Sequence, residues 1–199
     1  VATVERIAWT NDYDRTTNLA YQNGILVRSG ATTQRYLGTY RTTTTIGETE
    51  DSMTSRFVWN HLHKVKRPLR LITSANSWNY SADNWRQAGA IATHQVAGVV
   101  GWTESLASLR LVSLGGSTVS TGPRFWGAIG YRTSAVPADS SQWVGTYILT
   151  TNSNAVFHAV ANLDHLPSIG ANSWVWIEKT ATANGPITFY GDNGDAENF

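Results

Sequence analysis

Five histidines and fourteen acidic side chains supply this chain's general acids, bases and hard metal ligands, because it contains no cysteine. That absence removes disulfides, thiolate zinc sites, iron–sulfur ligation and cysteine nucleophiles together. His61 and His63 form a His-x-His pair, which on a strand turns both imidazoles to one face. Three such pairs around a threefold axis would surround a transition metal with imidazole nitrogens. The plainer expectation is a polar strand beside Lys64, Lys66 and Arg67, with no metal and no cofactor. Glu48, Glu50 and Asp51 crowd one stretch. Two carboxylates hydrolyse a glycosidic bond only when they face each other across a cleft and one stays protonated. Near neighbours in sequence suit helix capping or solvation instead. Asp192, Asp195 and Glu197 offer hard oxygens for calcium without EF-hand spacing, and a solvated turn is expected there. His158, Asp164 and His165, among scattered serines, supply the parts of a triad but no strained nucleophile. No phosphate-cradling glycine loop, nucleophile elbow, HExxH helix or EF-hand loop occurs. The chain therefore reads as non-enzymatic.

Nine Trp and eight Tyr are the conspicuous resource. Such rings build cores, subunit interfaces or platforms for sugar stacking. Trp78, Tyr80 and Trp85 lie in an Asn- and Ser-rich stretch and are expected to be more exposed than the strand tryptophans, which makes them the first glycan-contact candidates. A net charge of +1 argues against nucleic acid as a partner, since phosphate-dominated binding needs a basic excess.

The elements that must position these residues read as β-strands. Only 15% of residues are charged, against roughly 25% in an ordinary soluble domain, and abundant Thr, Trp and Tyr suit a pleated, half-buried surface. Strands are expected at residues 7–10, 19–22, 25–29, 36–43, 69–73, 96–102, 108–114, 125–131, 143–150, 155–161, 173–179 and 187–190, separated by Gly, Asn, Ser, Asp and Pro clusters. Asn23-Gly24 is the best hairpin signal, because a type I′ turn needs positive φ at both central residues. Residues 173–179 set Trp174, Trp176 and Glu178 on one face and Val175 and Ile177 on the other, so both faces should be covered. Around residues 50–62 the pattern fits a short helix capped by Thr49, or a turn running into a strand. The length of 199 residues suits a single antiparallel β-sandwich domain, jelly-roll-like, with residues 1–30 as an N-terminal hairpin or arm. No apolar run approaches the roughly 20 residues of a membrane-spanning helix, so no membrane partner is expected. Opening at Val1, the chain is expected to be a processed product or part of something longer.

Several strings are specific enough to compare. Tyr36-Leu-Gly-Thr-Tyr-Arg-Thr-Thr43, Gly47-Glu-Thr-Glu-Asp-Ser52, Arg56-Phe-Val-Trp-Asn60 and Arg67-Pro-Leu69 together resemble a module of virion structural proteins of tailed bacteriophages. The Leu19–Val27 hairpin, Ser77-Trp-Asn-Tyr80, Trp85-Arg-Gln-Ala88, Trp174-Val-Trp-Ile-Glu178 and Thr188-Phe-Tyr-Gly-Asp192 extend the resemblance over most of the chain. It implies a β-rich component on the particle surface, a head decoration or cement protein, head fibre or tail fibre. That component would be a homotrimer bound to the major capsid protein or to tail proteins. It implies no reaction and no catalytic residues. At His61 and His63 the chain departs from the aromatic and Asn residues of that block. The alternative is a phage receptor-binding domain that recognises host-surface glycans.

Overall fold

A computed structural model of the chain describes residues 3–104, 106–117, 124–138, 144–147, 156–181 and 186–191. Its regular structure is almost wholly β, arranged in sheets of a sandwich-like all-β fold. The first six strands are β1 (Leu19–Gln22), β2 (Ile25–Arg28), β3 (Ala31–Arg35), β4 (Gly38–Tyr40), β5 (Ser55–Arg56) and β6 (Val58–Asn60). They are followed by β7 (Ser77–Tyr80), β8 (Arg86–Gln87), β9 (Gln95–Val100), β10 (Ala107–Gly116) and β11 (Arg124–Tyr131). The last four are β12 (Val144–Tyr147), β13 (Val156–His165), β14 (Gly170–Thr180) and β15 (Ile187–Tyr190). Two compact units emerge. Unit 1 holds Val1–Leu69, Ala97–Ser105 and Leu166–Asn172, and unit 2 holds Arg70–Val96, Leu106–His165 and Ser173–Phe199.

Unit 1 opens on the expected hairpin. Leu19 pairs with Arg28 and Gln22 with Ile25, and Asn23 (φ 51) and Gly24 (φ 78) take the two left-handed positions that a type I′ turn requires. β3 completes a three-stranded sheet in which Leu26 and Val27 are buried. β4 pairs with β6, Thr39 opposite Trp59. Between them, of the two readings near residues 50–62, it is the turn running into a strand that forms: no helix occurs there and a turn leads into β5. The Ser52 hydroxyl donates to Glu50 Oε1 (2.6 Å) and accepts from the Ser55 amide (3.1 Å), while the Phe57 amide donates to the Glu50 carbonyl (2.9 Å). Side-chain bonds of this kind compete with helical ones and favour turns. β5 then runs parallel to β9, Ser55 opposite Ala97. Residues 7–10 and 69–73 form no strand. Alternation alone does not make a strand where no ladder partner lies alongside.

Unit 2 is built on two facing sheets. One has the order β13-β10-β15-β7, with β10 and β13 paired from Ala107 opposite His165 to Gly116 opposite Val156. The other has β11 between β12 and β14, while β8 pairs with β14 at Ile177 and Glu178. Phe125 of β11 meets Ala159 of β13 and Ile187 and Phe189 of β15 in the core. Glycine lets the sheets approach: a Cβ at Gly115 would lie 2.9 Å from the Phe125 ring, and one at Gly127 2.7 Å from Ser113 Oγ. On the opposite face of the second sheet, Ala128, Val175 and Ile177 pack with Trp85. Both faces of β14 are covered within the fold, as its sequence leads one to expect.

Candidate functional site

His61 and His63 do not share a strand face, because β6 stops at Asn60. The Asn60 side-chain carbonyl accepts from the amides of Leu62 (2.8 Å) and His63 (3.1 Å) and bends the chain there. His61 stacks on Trp59 (5.7 Å between centroids, 27°) and lies 5.6 Å from Tyr36, whereas His63 is exposed. Among the described residues no three His, Cys, Asp or Glu side chains form a metal-holding group. Glu50 accepts from Ser52, and Asp51 is paired with Arg56 and Arg67, so these carboxylates brace their own turn. His158 and Asp164 stand six residues apart on β13, about 20 Å at strand rise. Asp164 accepts instead from Ser108 (2.6 Å), and His165 packs on Tyr131 (4.1 Å), so the structure does not bring the triad candidates together. Asp192, Asp195 and Glu197 lie outside the described residues.

Trp78, Tyr80 and Trp85, the glycan-contact candidates, are each half-buried, with part of each ring packed against neighbours. The Asn/Ser-rich composition marks the stretch as polar, yet the period-two alternation of β7 turns Ser77 and Asn79 outward and Trp78 and Tyr80 inward. Trp78 stacks on Phe189 (6.1 Å, 7°) and meets Trp176 edge-on (5.5 Å, 70°). The Arg86 guanidinium covers the Tyr80 ring at 3.7 Å, and the Tyr80 hydroxyl donates to the Asn84 carbonyl (2.8 Å). Trp85 belongs to the Ala128–Val175–Ile177 cluster.

Around Trp78 lies a buried polar network. Glu178 is 0% exposed. Its Oε1 accepts from Arg86 Nε (2.8 Å) and the Gly89 amide (3.2 Å), and its Oε2 from Trp78 Nε1 (2.7 Å). Burial pushes its pKa up, against the pull of Trp78, Arg86 and Gly89. Nearby, His94 Nδ1 lies 2.8 Å from the Ala88 carbonyl and Nε2 2.7 Å from Thr73 Oγ1. A carbonyl only accepts, so the proton sits on Nδ1 and Nε2 accepts from Thr73. Burial lowers the His94 pKa, which suits this neutral form. Glu178 and His94 have protein partners on each polar atom and Glu178 has no access to solvent, so these bonds tie the strands of the sandwich together.

Unit 1 carries a different cluster, to which no single motif points. The Arg15 guanidinium lies 5.2 Å from the Trp9 ring, 5.3 Å from Tyr36 and 6.0 Å from Trp102, and it donates to the Gly101 carbonyl. Trp59 and His61 extend the cluster from Tyr36, and Tyr21 meets Trp102 edge-on at 5.9 Å and 86°. Gly101 permits the closeness, since a Cβ there would run into the Tyr36 hydroxyl and lie 2.6 Å from Trp59 Cε3. At the outer corner, Glu104 Oε1 accepts from the Tyr21 hydroxyl (2.6 Å) and Trp102 Nε1 (2.9 Å), and Oε2 from Lys64 Nζ (2.5 Å). Lys64 and Tyr21 hold the Glu104 carboxyl down at about 2, which makes it a poor base at neutral pH. Desolvation, reinforced by Lys64 and Arg35, lowers His61. Fixed aromatic rings beside a paired carboxylate and ammonium suit non-covalent recognition. Its parts come from residues 9–21, 36, 59–64 and 101–104, too scattered for spacing to reveal.

No family model, curated protein or solved structure matches this chain.

Proposed function

We propose that this chain is a non-enzymatic structural component of a tailed-bacteriophage particle, a capsid decoration or fibre element that self-associates through unit 1. The resemblance of its Tyr36–Leu69 strings to such modules supplies the particle. The observation that carries self-association is where the uncovered apolar side chains lie. Ile46 is 100% exposed, and Val4, Ile7, Leu62 and Val65 are exposed on stretches of unit 1 without strand structure. Single exposed apolar residues are ordinary. Among the described residues most of the exposed large apolar side chains lie in unit 1, with Ile72, Leu106, Val136 and Val156 exposed in unit 2, and a surface rich in them suits contact with neighbours. The exposed strands β1 and β3 at the two sides of their sheet are also suited to cover by another copy. Near-zero net charge lets identical copies approach without mutual repulsion.

Sedimentation of the full chain and symmetry-averaged cryo-electron microscopy of purified particles test this. A trimer in solution and threefold density on the capsid or tail are expected. A monomer at high micromolar concentration, with no density on the particle, would refute the proposal.

A further inference from the structure

The outer corner of the unit 1 cluster combines two aromatic faces at a right angle with a carboxylate and an ammonium side by side. We propose that Tyr21, Trp102, Glu104 and Lys64 bind a neutral saccharide, a pyranose C–H face lying on the exposed Tyr21 ring against the part-buried Trp102 and adjacent hydroxyls bonding to Glu104 and Lys64. This site lies on the same unit 1 surface, since Tyr21 belongs to β1 and Lys64 stands between Leu62 and Val65, so a second copy covering that surface would exclude the sugar; it uses none of the three aromatics that the sequence singles out.

Four features support it. Tyr21 is 52% exposed, so ring surface is available. Both rings are anchored by their polar ends, through Tyr21 Oη and Trp102 Nε1 on Glu104 Oε1, and a fixed platform loses less freedom when a ligand docks. An ionised carboxylate only accepts and an ammonium only donates, whereas a hydroxyl does both. Vicinal hydroxyls can therefore satisfy Glu104 and Lys64 together. Finally, the pair cancels its own charge. An anionic glycan would meet Glu104 and a cationic one would compete with Lys64, so the corner favours an uncharged sugar.

The test is titration of the full chain with neutral oligosaccharides of glucose, galactose, mannose, N-acetylglucosamine and rhamnose, read by tryptophan fluorescence and by a printed glycan array. Saturable binding of at least one neutral oligosaccharide is expected. Tyr21→Ala and Glu104→Gln should each weaken it about tenfold, a loss typical of one ring contact or one charge-assisted hydrogen bond. Tyr21→Phe keeps the ring and should retain affinity within about threefold, which separates stacking from any change in fold. Because Glu104 stays ionised to about pH 2, affinity should be flat between about pH 4 and pH 8. Absence of saturable binding up to millimolar sugar, binding that survives both Tyr21→Ala and Glu104→Gln, or binding of anionic glycans alone would overturn the proposal.

Discussion

Replacing Arg86 by Met leaves the buried Glu178 carboxylate without the cation that lies 2.7 Å away. Removing one member of a buried pair costs about 3–5 kcal/mol, mostly the penalty of the charge left behind. The lower end, about 3 kcal/mol, applies because Trp78 Nε1 and the Gly89 amide still donate to the carboxylate. For a chain of this size that corresponds to a melting temperature lower by roughly 6–12 °C. The pH dependence follows from the direction of the shift. Burial already raises Glu178, and loss of Arg86 raises it further. A carboxyl with a folded pKa above its unfolded one favours the fold below the unfolded value, and that contribution is lost as pH rises through the folded value. The Arg86→Met penalty is therefore largest in alkaline solution and shrinks on acidification. Urea unfolding at about pH 8 and about pH 5 measures it for the wild type, Arg86→Met, Glu178→Gln and the double variant. The double variant should recover roughly 1–3 kcal/mol relative to Arg86→Met, since no charge remains buried. A cost below about 1 kcal/mol at both pH values, or a double variant no better than Arg86→Met, would refute the picture of a buried ionised staple.

Other substitutions isolate single physical terms. Thr73→Val removes the donor to His94 Nε2 and should cost about 1–3 kcal/mol in urea unfolding, the price of an unpaired buried acceptor. Because burial lowers the His94 pKa, its contribution to stability is present above the unfolded histidine range and is lost as pH falls through the folded value. Melting curves should show that acid-linked loss in the wild type and less of it in His94→Gln. Gly24→Ala meets no atom within 4 Å, so its expected cost of about 1–2 kcal/mol reports left-handed backbone alone. Gly101→Ala has the opposite origin. Its Cβ collides with Trp59 and Tyr36, and the expected loss of about 1–3 kcal/mol should come with a changed near-ultraviolet circular dichroism signal from the displaced rings.

Local rules reach far into this fold. Asn23-Gly24 places the first hairpin because both residues tolerate the positive φ values a type I′ turn needs. The runs at residues 19–22 and 187–190 are strands with the bounds their alternation suggests. The doubly buried β14 is legible because large apolar or aromatic side chains occupy both faces. Where side chains bond to the backbone, as at Ser52 and Asn60, they decide between readings that periodicity leaves open: Ser52 selects the turn over the short helix, and Asn60 ends the strand that would have aligned His61 with His63.

The sequence by itself determined the all-β character, most of the long strands and the absence of thiol chemistry, because these follow from residue type and nearest-neighbour spacing. Tertiary structure alone decided which aromatics are covered. It drew Trp78 onto Glu178, a hundred residues away along the chain, and gathered Tyr21, Lys64, Trp102 and Glu104 at one corner. Burial and charge partnership depend on which distant strands meet across a sheet or a loop. That pairing is set by the free energy of the whole core, which no local window of residues contains.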